Sequence, residues 1–128
     1  MKQFFGALIL VCGLAAAQAN AACDYPVAPG KFPDGTQATK DEMLAAKKLV
    51  VKYDADMTAY LTCIKSEFDT KVALMDKNKV TTEQKAEMTR LQEQKQSAAI
   101  DEVKSVTERF NEQLRAWKAK NVPEKKPS

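Results

Sequence analysis

The feature that most limits the fold of this 128-residue chain is a stretch of more than eighty residues, between Gly35 and Pro123, without glycine or proline. Because these two residues are the strongest breakers of helices, such a stretch favours long continuous helices. Three of the five prolines lie in residues 22–38, together with two of the four glycines. We therefore expect an extended N-terminal arm followed by a helical region.

Two capping boxes mark where helices are expected to begin. Thr39 is followed three residues later by Glu42, and Thr81 by Gln84. In this motif the threonine hydroxyl accepts the N–H of the later residue, whose side chain bonds back to the threonine N–H. The sequence therefore predicts two helices.

Residues 76–79, Asp-Lys-Asn-Lys, are polar and rich in turn formers, and they separate the two helical segments. We predict helices over about residues 40–75 and 82–119. Residues 121–128 contain two prolines and several charges, and we expect them to form a disordered tail.

Apolar and aromatic residues recur at spacings of three and four in both predicted helices, a heptad pattern typical of coiled coils. In the first helix they are Met43, Ala46, Val50, Tyr53, Met57, Tyr60 and Ile64, continuing through Phe68, Val72 and Met75. In the second they are Met88, Leu91, Ala98, Ala99, Val103, Val106, Phe110, Leu114 and Trp117.

Two helices of this length joined by a short turn predict an all-α fold, a long antiparallel two-helix hairpin of roughly 50 to 60 Å. Each helix covers only one face of its partner, so the hairpin alone leaves apolar surface uncovered. Either self-association or packing of the arm would cover the rest, and Tyr25 and Phe32 are suited to fill the groove. The candidate partner seam comprises Met43, Val50, Tyr53, Met57, Tyr60, Ile64, Phe68, Val103, Val106, Phe110 and Trp117.

Residues 1–21 have the features of a signal peptide. Lys2 is followed by an apolar run over residues 4–17, and cleavage is expected after Ala21 or Ala22. The run is shorter than the ~20 residues that a membrane-spanning helix needs. We expect export without stable membrane insertion after cleavage, with a retained anchor and lipidation as alternatives.

Removal of residues 1–21 leaves two of the three cysteines, Cys23 and Cys63, and a net formal charge of +2. Two cysteines in an exported chain suggest one disulfide, with two free thiols as the alternative. Closing a loop of about 40 residues would stabilise the fold by roughly 3 to 4 kcal/mol. A charge this close to zero is not typical of nucleic-acid binding, so we expect no nucleic-acid partner.

The chain contains no histidine. This excludes the commonest general base and every zinc site or catalytic triad that needs one. No glycine-rich phosphate loop or Cys-x-x-Cys pair is present, and Val80 and Thr81 break the calcium-loop pattern that Asp76 begins. We therefore expect no catalytic residue, no metal site and no cofactor.

Several segments resemble a set of uncharacterised small exported proteins of Gram-negative bacteria. They are Cys-x-Tyr-Pro at residues 23–26, Pro-Asp-Gly at 33–35, Glu-Met with Ala-Ala at 42–46, Tyr-Leu-Thr-Cys-Ile at 60–64 and Arg-Phe-Asn-Glu-Gln-Leu-Arg-Ala-Trp-Lys at 109–118. The resemblance spans nearly the whole chain after the signal peptide. It implies a periplasmic helical protein with two cysteines, and it transfers no catalytic residue.

Residues 80–84, Val-Thr-Thr-Glu-Gln, are similar to the Leu-Thr-x-x-Gln signature of the Spy and CpxP type of periplasmic stress chaperones, with Val80 in place of the leucine. This similarity assigns Thr81 and Gln84 to a helix cap. Two hypotheses follow. The first is a non-catalytic periplasmic interaction protein that self-associates or binds an envelope protein; the second is a holding chaperone for unfolded envelope proteins.

Overall fold

The computed structural model describes residues 23–122, which form an extended arm and two packed helices without any strand. Helix α1 spans Lys40–Lys77 and helix α2 spans Thr82–Asn121, each ending two residues later than predicted. At 1.5 Å per residue each helix is roughly 60 Å long. The helices form the long antiparallel hairpin expected from the sequence. The predicted signal peptide and residues 123–128 of the predicted tail lie outside the described residues.

Both helices begin in the predicted capping boxes. The Glu42 N–H donates to the Thr39 hydroxyl at 3.2 Å, and the Thr39 N–H donates to the Glu42 carboxylate at 2.8 Å. Thr81 and Gln84 make the same reciprocal pair at 3.2 and 3.0 Å. These bonds satisfy amide donors that the first turn of a helix leaves free, so the local sequence fixes both helix starts.

The turn between the helices occupies residues 78–81. The Val80 N–H donates to the Met75 carbonyl at 3.5 Å, which is the six-to-one bond of a Schellman motif. Lys79 adopts the left-handed conformation that this motif requires, with φ of 52°. The chain therefore reverses direction over four residues without a glycine.

The core lies in the half of the hairpin that contacts the arm. One buried cluster contains Tyr53, Met57, Ala99 and Val106, and Phe32 of the arm packs against it. A second cluster contains Met43, Ala46 and Phe110, and Phe32 contacts this one too. Along residues 65–98, all of which are described, no residue is buried. We call this part the distal half.

The predicted partner seam is used mainly to hold the two helices together. Six of its eleven residues are buried inside the monomer: Met43, Tyr53, Met57, Ile64, Val106 and Phe110. The other five are partly buried: Val50, Tyr60, Phe68, Val103 and Trp117. Because a long helix pair is stabilised by burying its apolar stripe, these six residues form core within the monomer, and the role of the seam as a partner surface stays a prediction.

The inward face of α2 also differs from the predicted one. Leu91 and Ala98 are exposed, whereas Gln92 and Gln96 are partly buried and Ala99 is buried. These three inward residues are four and three positions apart, and they continue the heptad that runs on to Phe110. Polar side chains therefore take inward positions in the distal half, which explains the absence of buried residues there.

Candidate functional site

The arm is attached to α1 by the predicted disulfide. Cys23 and Cys63 are bonded, with their Cα atoms 5.7 Å apart, so the free-thiol alternative is wrong. Glu67 lies close to both sulfur atoms. Metal ions bind the thiolate form of cysteine, so the oxidised pair is unsuited to hold one.

Two aromatic contacts seat the arm on the hairpin. Tyr25 packs edge-on against Tyr60 with ring centroids 4.9 Å apart. Phe32 packs edge-on against Phe110 at 5.6 Å, and the Arg109 guanidinium lies 5.7 Å from the Phe32 ring centroid. Both arm residues thus cover apolar surface between the helices, as predicted.

A row of side chains on α2 binds the backbone of the arm. Arg109 donates to the carbonyls of Pro29 and Gly30, at 3.3 and 2.8 Å. Trp117 donates through Nε1 to the Ala38 carbonyl at 3.1 Å. The Gly35 N–H donates to the Gln113 side-chain oxygen at 3.0 Å, and Lys120 donates to the Thr36 carbonyl. The three at positions 109, 113 and 117 are four residues apart, so they share one side of α2.

Gly35 allows the arm to touch the backbone of α2. A Cβ atom at this position would lie 1.9 Å from the Gln113 carbonyl oxygen and 2.9 Å from the Trp117 amide nitrogen. The Asp34 carboxylate accepts from the N–H and hydroxyl of Thr36, and these bonds fix the turn around Gly35. The Pro-Asp-Gly and Arg-to-Lys segments quoted above therefore meet in space, where they hold the arm.

The Tyr53 hydroxyl is buried under the arm, and no group in residues 23–122 forms a hydrogen bond with it. The Tyr25 hydroxyl is a neighbour that influences the pKa of Tyr53, but the two hydroxyls are not placed to form a hydrogen bond. Burial, followed by the neighbouring Tyr25 and Glu102, raises the pKa of Tyr53 to about 12, although Arg109 opposes the shift. Burial is also the main reason why the pKa of Tyr25 is raised.

The carboxylates with shifted pKa values belong to local structural motifs. The Thr36 hydroxyl lowers the pKa of Asp34, and the Thr39 N–H lowers that of Glu42. The Arg90 side chain lowers the pKa of Glu87, to which it donates at 2.8 and 2.6 Å. These groups are exposed and stay ionised at neutral pH, so they are unsuited to general acid catalysis.

Among the interhelical hollows that the arm does not line, two lie in the half of the hairpin that contacts the arm, and a third lies in the distal half. The first has a volume of about 420 Å³ and is lined by Lys40, Met43, Leu44, Lys47, Phe110, Asn111, Leu114, Trp117 and Lys118. The second, about 180 Å³, is lined by Asp54, Met57, Thr58, Leu61, Ile100, Val103 and Lys104. No residue of the arm lines either hollow. We call this surface, from Lys40 to Leu61 on α1 and from Ile100 to Lys118 on α2, the open groove.

The open groove combines exposed apolar side chains with positive charge. Leu44 is 47% exposed and Ile100 is 44% exposed. Lysines 40, 47 and 118 line the first hollow without any acidic residue, and none of them makes an ion pair within residues 23–122. This surface can accept an apolar ligand that also carries negative charge.

Five residues of the predicted seam line this groove, as part of its floor or wall: Met43, Met57, Val103, Phe110 and Trp117. The exposed Leu44 and Ile100 and the partly buried Leu61 are not among the predicted candidates. Leu44 and Val51 are seven residues apart and so form a second apolar line on α1. That repeat is the signal from which this surface was predictable.

None of the helices described here is both long and apolar enough to cross a membrane. Comparison of the chain with protein-family models, with curated proteins and with solved structures gave no match.

Proposed function

We propose that the protein is a non-catalytic periplasmic interaction protein that binds an envelope protein through the open groove. The observation that carries the proposal is that the arm closes only one side of the hairpin. On the other side, Leu44 and Ile100 remain nearly half exposed beside two hollows. Exposed apolar side chains grouped in this way are typical of interaction sites. The absence of histidine from the chain supports a non-catalytic role.

Export to the periplasm is part of the proposal. The signal-peptide features of residues 1–21 support it, and so does the disulfide, because such bonds persist in oxidising compartments. Cell fractionation with mass spectrometry of the isolated protein tests this part. We expect a periplasmic protein that begins at Ala22 or Cys23 and has no free thiol. A cytoplasmic protein that retains residues 1–21 would contradict it.

Site-specific photo-crosslinking in living cells tests the interaction itself. A photoreactive residue at Leu44 or Ile100 should capture an envelope protein. Lys48 and Glu108 are exposed and line neither hollow, so the same residue placed there should capture nothing. The proposal would be contradicted if neither groove position formed an adduct, or if all four positions formed the same adduct.

A holding chaperone is the second candidate, and the distal half favours it. Leu74 and Leu91 are about half exposed there, and Met75 and Met88 are only partly buried. Loosely packed methionines adapt to varied apolar partners. The test is suppression of aggregation of a denatured protein. A chaperone role predicts suppression that Leu74→Glu with Leu91→Glu removes, and no suppression at several-fold molar excess would eliminate this candidate.

A further inference from the structure

We infer that the occupant of the open groove is an acidic amphipathic helix of the partner protein, which lies between α1 and α2. This inference rests on the proposed function and specifies the chemistry of the partner. The half of the hairpin that contacts the arm is called the proximal half. With the arm on one side of it and this helix on the other, the apolar surface between α1 and α2 would be covered there.

The length of the open groove suits a helix. From Ile100 to Lys118, the length of the open groove on α2, the helix advances 18 residues, which is roughly 27 Å. A partner helix of about the same number of residues would lie along the whole groove. The hollows are centred about three helical turns apart, so apolar residues on one face of that helix would reach both of them. Helix-in-groove binding of this kind is a recurrent mode of recognition.

The composition of the floor suits an apolar helix face. Phe110 and Leu114 line the larger hollow, and Met57 and Val103 line the smaller one. Met57 is almost fully buried, so the floor is a fixed part of the core. The walls are formed by exposed side chains such as Leu44 and Ile100. Covering these walls would remove apolar area from water, which is the main driving force for such an association.

The charge distribution specifies an acidic partner. Lys40 and Lys47 are two helical turns apart on α1, about 10 Å along its axis, and Lys118 faces them from α2. Carboxylates spaced one or two turns apart on a helix would pair with several of these lysines at once. A lipid with a single anionic group would reach fewer of them. In the second hollow the opposite charges of Asp54 and Lys104 balance. The acidic residues of the partner helix should therefore lie at the end of that helix that is next to Lys118.

Charge also disfavours occupants that this chain itself supplies. A second copy using the same surface would add its own three lysines to the interface and no excess of acidic residues to pair with the first set. Residues 1–22 contain Lys2 and no acidic residue, and residues 123–128 contain two lysines and one glutamate. Neither terminal segment therefore matches the rim of the first hollow.

Trp117 provides a direct probe because it is the only tryptophan of the chain and it lines the first hollow. We would titrate the oxidised protein, without residues 1–21, with a designed helical peptide of about 18 residues that lacks tryptophan. One peptide carries leucines on one face and glutamates beside them, and its control carries lysines in place of the glutamates. We expect the acidic peptide to change Trp117 emission and to bind at least about tenfold more tightly than the control.

Charge-reversed variants make the test specific. Lys47→Glu combined with Lys118→Glu should lower affinity for the acidic peptide at least about tenfold and raise that for the lysine peptide. Lys48→Glu reverses a lysine charge outside the groove, and it should change the affinity for either peptide by no more than about twofold. Leu44→Asp should weaken both peptides, and because Leu44 is exposed this variant should fold normally.

Three results would overturn the inference: equal affinity for the two peptides, no response to the charge reversals, or no binding of the acidic peptide. If anionic phospholipid vesicles alone changed Trp117 emission, with the acidic peptide having no effect, the ligand would be a lipid. A dimer seen by light scattering that excludes the acidic peptide would assign the groove to a second copy. The cellular crosslinks from Leu44 separate the two proposals, because their presence without peptide binding would retain the interaction role and reject the acidic helix.

Discussion

Gly35 holds the arm against α2 because it has no side chain. Its amide donates to Gln113, and a Cβ atom in its place would overlap the backbone of the same residue. Its φ is not positive, so the requirement is for space and not for an unusual conformation. The Pro-Asp-Gly segment suggests a turn from the sequence alone. The contact with α2 was not predictable, because it joins residues nearly eighty positions apart through a backbone atom.

Gly35→Ala should destabilise the protein by about 1 to 3 kcal/mol, the usual cost of forcing an extra methyl group into a packed site. Backbone atoms of α2 surround the new methyl group, so the turn has to lift away. Urea unfolding measures the loss, with Gly30→Ala as a matched control because nothing lies within 4 Å of a Cβ at Gly30. Equal stability of the two variants would show that the arm is not seated as described.

Tyr53 makes stability depend on pH in the alkaline range. The unfolded chain ionises this hydroxyl near pH 10, whereas the folded protein retains the proton to about pH 12. Between these values the unfolded state binds fewer protons, so the free energy of unfolding falls as pH rises. Below pH 10 this contribution to stability is fully present.

Tyr53→Phe should reduce the loss of unfolding free energy between pH 9 and pH 11.5. At neutral pH the variant should be as stable as the parent protein or slightly more stable, because the hydroxyl it removes is buried without a partner in the part of the chain that the structure describes. Urea unfolding at each pH measures both effects. Destabilisation by more than about 1 kcal/mol at neutral pH would reveal a hydrogen bond that this account lacks.

At the scale of the elements, the helices were predictable because their signals are local. The capping boxes at Thr39 and Thr81 lie within four residues of the amides they satisfy, and both are formed. The inward face of α2 was only partly predictable. Counting apolar residues selected Leu91 and Ala98, whereas helix geometry places Gln92 inward. The path of the seam there follows the heptad of the whole helix, not the local composition.

The arm is a third packing element, and the disulfide joins it to α1 across 40 residues of sequence. Cys63→Ser should lower the free energy of unfolding by roughly 3 kcal/mol under oxidising conditions, because the unfolded chain regains the entropy of the open loop. Cys23→Ser should have the same effect, and with reductant present both variants should match the parent protein. Equal losses with and without reductant would contradict a stabilising disulfide.

At the scale of the whole molecule, the hairpin is asymmetric. The sequence predicted uncovered apolar surface and two ways of covering it, and the arm covers one side through Tyr25 and Phe32. Which side remains open was not predictable, because it depends on Arg109 and Trp117 binding carbonyl groups, which every residue has. Six of the eleven residues of the predicted partner seam are ones that the monomer itself buries.

In the proximal half, the arm closes one side of the hairpin and leaves the other side open. The most direct test is methyl NMR of the oxidised protein with a soluble paramagnetic probe. We predict strong relaxation of the Leu44 and Ile100 methyl groups, and little relaxation of those of Met57 and Val106, which are almost fully buried. If the Leu44 and Ile100 methyl groups were as protected as those of Val106, the groove would be covered in the isolated protein. That result would contradict an open side of the hairpin.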